Sequence, residues 1–275
     1  MFFGGNMRHF WLEILVCTMM LAACGDDDSG FATQPDVEGS SSSVAPMSSD
    51  SVEKNDGSVY NVDKNTLTDL RDGQIYKTVK IGTQTWMAQN LNYAYTGVPY
   101  NYFGFTSDST SWCYNNDVAN CIKYGRLYTW AAAMDSVGSW STNGRGCGYK
   151  KKCWPIYPVR GICPEGWHLP DTTEWRTLFT AVGDSSTAGK ILKSSSGWND
   201  SGNGTDAYSF SALPAGINCA GGSCFSDEGN VALFWSSAEF DRDNAYCIAL
   251  SYNYDFAGLI NHNRFLGFSV RCVKD

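Results

Sequence analysis

Residues 161–182 read GICPEGWHLPDTTEWRTLFTAV, and the second half of that stretch predicts a helix from its own start signal. Pro170 precedes Asp171, Glu174 stands three residues beyond it, and Trp175, Leu178, Phe179 and Val182 recur on one helical face. Asp171 is the cap and Glu174 completes a capping box. Upstream, Leu127, Trp130, Ala131 and Met134 repeat the same spacing and predict a second helix. Further out, residues 74–81 alternate, with Ile75, Val79 and Ile81 on one face and Tyr76, Thr78 and Lys80 on the other. Gly82-Thr83 then offers a two-residue turn into Thr85-Trp86-Met87, which reads as a hairpin. Beyond Gly183, apolar stretches at 210–213, 231–235, 246–250 and 268–273 interrupt a Gly-, Ser-, Asn- and Asp-rich chain and predict short strands. Two helices and short strands joined by long loops make one α+β domain, residues 67–275.

The amino end reads as an address. Arg8 and His9 precede an apolar run from Ile14 to Ala23, too short for a permanent span and of signal-peptide length. The run ends in Leu21-Ala22-Ala23-Cys24, similar to a bacterial lipobox. Residues 1–23 are therefore expected to be a signal peptide and Cys24 the site of acylation, which would anchor the chain in a membrane. Residues 24–66 follow as a tether: 25–58 carry eight acidic residues against one lysine, with a Ser40–Ser43 run and almost no large apolar side chains. About 34 such residues reach roughly 30 Å. The acidic run behind Cys24 resembles the surface-export signal of Bacteroidetes-type lipoproteins, so the expected location is the outer membrane, facing outward. The competing reading is a plain spacer facing the periplasm.

The tether also explains the charge. The formal net charge is −8, and residues 25–58 supply −7 of it. From Val59 onward 18 basic residues meet 19 acidic ones, a balance that gives no reason to expect nucleic acid as a partner.

Outside the signal and Cys24 nine cysteines remain, with no C-x-x-C pair and only His168 and His262 to assist a metal, so disulfides are a better reading than zinc. Neighbours suggest short loops closed by Cys113 and Cys121, Cys147 and Cys153, and Cys219 and Cys224. Cys163 and Cys272 would then join the middle of the domain to its end. Cys247 is left over in a strand-like stretch and is expected buried and free. Spacing alone leaves the connectivity open.

Seven ordered segments carry a family resemblance. They are 72–82 (DGQIYKTVKIG), 86–93 (WMAQNLNY), 124–130 (YGRLYTW), 161–170 (GICPEGWHLP), 210–216 (FSALPAG), 235–237 (WSS) and 267–273 (GFSVRCV). Together they resemble the Fibrobacter succinogenes major paralogous domain, over roughly Leu67 to Asp275. The resemblance implies an exported lipoprotein or secreted module without an assigned reaction. It also supports pairing Cys163 with Cys272, since both lie in the family's pattern. The Trp167-His168-Leu169-Pro170 and Gly267-Phe268 segments more distantly resemble the C-type-lectin-like fold of formylglycine-generating enzymes, implying that first and last strands pair around an irregular middle. No adjacent thiol pair suited to copper accompanies that likeness.

Candidate chemistry is sparse. Asp200, Asn203 and Asp206 could present oxygens to calcium from one loop, against a turn that merely favours these residues. Glu165, Asp171 and Glu174 offer carboxylates for glycoside hydrolysis, but helix capping accounts for two of them. Glu239, Asp241 and Asp243 read as a solvated turn, and His168 as a hydrogen-bonded structural residue. No nucleophile elbow, phosphate loop or metalloprotease helix is present. Aromatic rings remain: Tyr100 and Tyr102 in a Gly- and Asn-rich stretch, and Trp112, Trp140 and Trp154 in the cysteine loops. Rings on rigid loops stack on sugars or grip protein surfaces, and Tyr100, Tyr102, Trp112 and Trp140 are the expected ligand-binding set. Lys150-Lys151-Lys152 could meet an anionic polymer or form a solvated tip. The expected function is a non-catalytic binding module for a polysaccharide or an envelope protein. The alternatives are an exported enzyme acting on cell-wall polysaccharide and a structural envelope protein.

Overall fold

Four short strands, β1 (Ser58–Asn61), β2 (Thr66–Asp69), β3 (Ile75–Ile81) and β4 (Gln84–Met87), form an antiparallel meander. Ile81 pairs with Gln84, so Gly82 and Thr83 are the two-residue turn, Gly82 at φ +60°. The computed structural model describes residues 57–275 except 103–104, 110 and 220, and the side chains of 97–110 are outside the description. The sheet starts at Ser58, upstream of the Leu67 boundary expected for the domain. The expected alternation of β3 is present, but it does not separate a buried face from a solvated one. Tyr76 and Thr78 are buried, Ile81 is buried on the opposite side, and Ile75 is exposed. The cause is that β3 lies between two cores: Tyr76 packs with Leu67 and Met87 in one, Ile81 with Trp86 and Trp175 in the other.

The next hairpin, β5 (Thr96–Tyr102) and β6 (Phe105–Ser109), leads into β7 (Ser111–Trp112), which pairs with β8 (Leu127–Tyr128). Between β7 and β8 stands α1 (Val118–Tyr124), whose cap Asp117 accepts from Ala119 N. The helix expected over 127–134 is only α2 (Trp130–Ala133). Leu127 is held in a strand, Thr129 caps α2, and Asp135 turns away at φ +51°. After an irregular stretch come β9 (Trp167–His168) and α3 (Thr172–Ala181), where both bonds of the capping box between Asp171 and Glu174 are present. A further helix, α4 (Ser185–Leu192), follows at once, capped by Asp184. The described residues thus hold four α-helical segments where two were expected. The caps Asp117 and Asp184 were the legible signals for the missed pair.

The second half supplies β10 (Ala215–Asn218) paired with β11 (Phe225–Glu228), then the antiparallel set β12 (Val231–Glu239), β13 (Asn244–Ser251) and β14 (Gly258–Asn263). Residues 210–213 do not form the expected strand. Ser209 and Ser211 adopt φ +57° and +53°, and the carbonyls of Phe210 and Ser211 accept from the Arg271 guanidinium instead of a neighbouring strand. Residues 268–273 are likewise shared among partners: Phe268 bridges Tyr128, Ser269 bridges Phe234, and only β15 (Val273–Lys274) is a strand. It pairs with β4 and β9, so the first sheet runs β1-β2-β3-β4-β15-β9. The last strand therefore lies beside β4 rather than beside β1.

Both faces of that sheet are covered. One core gathers Trp130, Trp167, Trp235 and Phe268, the latter two stacked with centroids 4.3 Å apart, and the other gathers Trp86, Trp175, Phe210 and Phe234. β12 divides between them, Leu233 and Trp235 to one, Ala232 and Phe234 to the other, which explains its continuous apolar run. Arg271 is fully buried among these rings. Burial pulls its pKa down to about 9, while Asn90 Oδ1 and the carbonyls of Met87, Phe210 and Ser211 accept its donors. Four disulfides join Cys113 to Cys121, Cys147 to Cys153, Cys163 to Cys272 and Cys219 to Cys224, and Cys247 is buried and free. No helix among the described residues is long and apolar enough to cross a membrane.

Candidate functional site

The site assembles where the loop after Cys147 meets the turn between β12 and β13. Lys150 N donates to Arg242 O at 2.8 Å, and Cys153 N donates to the Glu239 carboxylate at 3.4 Å. Arg264, just after β14, holds the two segments together. Its fully buried guanidinium donates to Gly148 O and Lys151 O of the loop, each at 3.0 Å, to Asn244 O at 3.1 Å and to Asp241 O. It also pairs with Glu239 at 3.0 Å and lies 4.3 Å from the Trp130 ring centroid. One planar fork thereby satisfies both segments, an arrangement suited to arginine. Farther along, Ile156 N donates to Asn143 O, and Asn143 Nδ2 donates to Ile156 O and Pro158 O.

This framework holds a set of apolar side chains out to solvent. Trp154 is 77% exposed, Ile156 66%, Tyr157 52% and Phe240 50%. Partial burial, then the charges of Asp171 and Glu239, lift the Tyr157 hydroxyl above its ordinary pKa. Lys152 Nζ lies 5.3 Å from the Trp154 centroid, and Lys151 and Arg242 are exposed alongside. Large exposed apolar residues on a pinned loop and on the turn tied to it are a marker of a contact surface.

The rings expected from sequence fare differently. Trp112 is buried, and Trp140 is half-buried, its ring 5.6 Å from Tyr93 and under the Arg71 guanidinium. Trp112 belongs to the packing and is corrected as a contact ring, while Trp140 keeps only part of its surface open. Tyr100 and Tyr102 fall in β5, and their side chains lie outside the described residues, as do residues 1–23 and Cys24. Ile156, Tyr157, Phe240 and Arg264 escaped the sequence reading. The non-periodic Trp154-Pro155-Ile156-Tyr157-Pro158 run was the available signal.

The candidate carboxylates have structural partners. Asp171 caps α3, while Glu174 accepts from Asp171 N and from His168 Nε2 at 2.7 Å. Burial alone would lower the His168 pKa, but Glu174 on one ring nitrogen and Asp275 on the other, at 2.6 Å, raise it. The ring therefore keeps its proton further up the pH scale than a free imidazole. Glu239 holds Arg264, Asp241 accepts from Asp243 N and Asn244 N, and Asp243 lies 4.0 Å from Arg242. Glu165 is exposed, and its carbonyl accepts from Ser58. Of the calcium candidates, Asn203 Oδ1 accepts from Trp198 N and Asp206 from Ser211, while Asp200 is exposed at φ +48°. No group of three or more His, Cys, Asp or Glu positioned for a metal occurs among the described residues. Burial pushes the Cys247 thiol pKa well up, which removes the thiolate that a nucleophile needs.

A cleft of about 370 Å³ opens elsewhere, between β3 and α1, lined by Gln74, Gln89, Asn92, Lys123, Ser195 and Asp206 among others. Its two tyrosines are buried with engaged hydroxyls: Tyr76 accepts from Asn92 N, and Tyr124 donates to Glu228. No exposed ring face is available in it for stacking.

Residues 79–274, well over half of the chain, match the Fibrobacter succinogenes major domain. The chain belongs to that family. No curated protein and no solved structure matches it. The segments that carry the Fibrobacter succinogenes major domain resemblance supply buried residues, among them Trp86, Leu127, Trp167, Trp235 and Arg271. They build the scaffold. The exposed loop from Lys150 to Tyr157 lies between two of those segments.

Proposed function

We propose that the chain is a surface-displayed lipoprotein whose Fibrobacter succinogenes major domain is a non-catalytic module that binds glycans. The observation that carries the reading is the exposed set of Trp154, Ile156 and Tyr157, on a loop pinned by Arg264 and a disulfide, with Phe240 in the β12–β13 turn that Arg264 ties to it. Pinned rings offer their faces to pyranose rings at low entropy cost. The engagement of Asp171, Glu174 and Glu239 in capping and ion pairing favours binding over hydrolysis. The scaffold is taken to be C-type-lectin-like on the resemblance of its Trp167-His168-Leu169-Pro170 and Gly267-Phe268 segments, supported by the irregular middle from 135 to 166. The anchor rests on Leu21-Ala22-Ala23-Cys24.

Two measurements test this. On polysaccharide arrays, with and without calcium, the full chain is retained and a Trp154→Ala/Tyr157→Ala variant loses about tenfold or more in affinity at unchanged melting temperature. Absence of retention on every glycan removes the sugar-binding reading. Labelled palmitate enters the wild-type chain in cells and fails to enter Cys24→Ser, and equal labelling of both removes the anchor.

A further inference from the structure

The loop that bears Trp154 also bears Lys150, Lys151 and Lys152, and the 2.8 Å bond from Lys150 N to Arg242 O brings Arg242 beside them. From Val59 onward the chain is nearly balanced in charge, so this is a local concentration of cations and not a general property. The acidic groups beside this surface are engaged: Glu239 with Arg264, Asp241 with the backbone of its own turn, and Asp171, whose charge reaches Tyr157, with the start of α3. Asp243 reaches Arg242 only at 4.0 Å, with both groups substantially exposed, a contact that contributes little. Lys152 Nζ lies over the Trp154 ring, 5.3 Å from its centroid, so a sugar that meets the indole meets an ammonium group at the same residue.

We propose that this surface takes a carboxylate-bearing polysaccharide. A hexuronate ring stacks on Trp154, Lys152 meets its carboxylate, and Lys151 and Arg242 attract the neighbouring residues of the polymer. The inference rests on the glycan-binding reading and names its ligand class. Pyranose stacking requires a flat apolar face and uronate recognition requires a cation close to it, and this loop supplies both.

The test is isothermal titration of the full chain at low salt with polygalacturonate, its carboxyl-reduced form, polyglutamate and phosphatidylglycerol vesicles. Polygalacturonate is expected to bind about tenfold more tightly than its carboxyl-reduced form. Raised salt should shrink that difference. Lys151→Gln/Lys152→Gln abolishes it, with melting temperature and affinity for the carboxyl-reduced polymer unchanged. Equal affinity for the two polysaccharides overturns the uronate inference and leaves glycan binding standing. Polyglutamate or vesicles bound as tightly as polygalacturonate also overturns it, showing attraction to charge alone or to a lipid headgroup. Binding to neither polysaccharide removes the underlying reading as well.

Discussion

Replacing Cys163 and Cys272 together by serine lowers the stability of the domain by about 4.7 kcal/mol, the chain-entropy value for a loop of about a hundred residues. The bond closes a separation of 109 residues, and both sulfurs are buried in the core that holds Trp167 and Trp235. It links the residues before β9 to those before β15, so the unfolded chain regains about half of the domain as a free loop when it is cut. A loss of that size takes up much of the roughly 5–15 kcal/mol that a domain has. The companion variant Cys219→Ser/Cys224→Ser opens a separation of 5 residues and loses about 2 kcal/mol. Urea unfolding of both variants without reductant gives the comparison. Equal losses would show that the long loop is held together without its bond.

Replacing Arg264 by leucine costs about 3–5 kcal/mol and frees the loop that bears Trp154. The substitution leaves the Glu239 carboxylate without its cation and deprives the carbonyls of Gly148, Lys151, Asp241 and Asn244 of a donor. Arg264→Lys keeps the charge but not the fork, since a single ammonium group cannot serve four carbonyls and a carboxylate, and it restores less than half of the loss. Trypsin reads the loop directly. Lys150, Lys151 and Lys152 are exposed in the wild type, and cleavage there rises in both variants before global unfolding. Unchanged cleavage, or a loss below about 1 kcal/mol in Arg264→Leu, would show that the loop is held by the Cys147–Cys153 bond and the Asn143 contacts without the guanidinium.

Much of the scaffold is legible in short stretches of sequence because its causes are local. The capping box at Asp171 and Glu174 needs four residues, and the Gly82-Thr83 turn needs two with a compatible backbone. What stayed illegible depends on partners far along the chain. Residues 210–213 look like a strand until Arg271, some sixty positions later, claims their carbonyls. Helix α1 shows Val118 and Ile122 to solvent while Cys121 and Tyr124 face inward, so its apolar pattern points to the wrong side.

The aromatic residues draw the same line. Sequence by itself determined that rings crowd the cysteine loops, that one such loop carries three lysines, and that the domain as a whole is nearly neutral. Only the tertiary structure decided which rings face outward: Tyr93 and Arg71 cover Trp140, while Arg264 props the loop that leaves Trp154 uncovered. Exposure is set by what packs against a side chain, and those neighbours come from segments whose spacing along the chain carries no trace of their meeting.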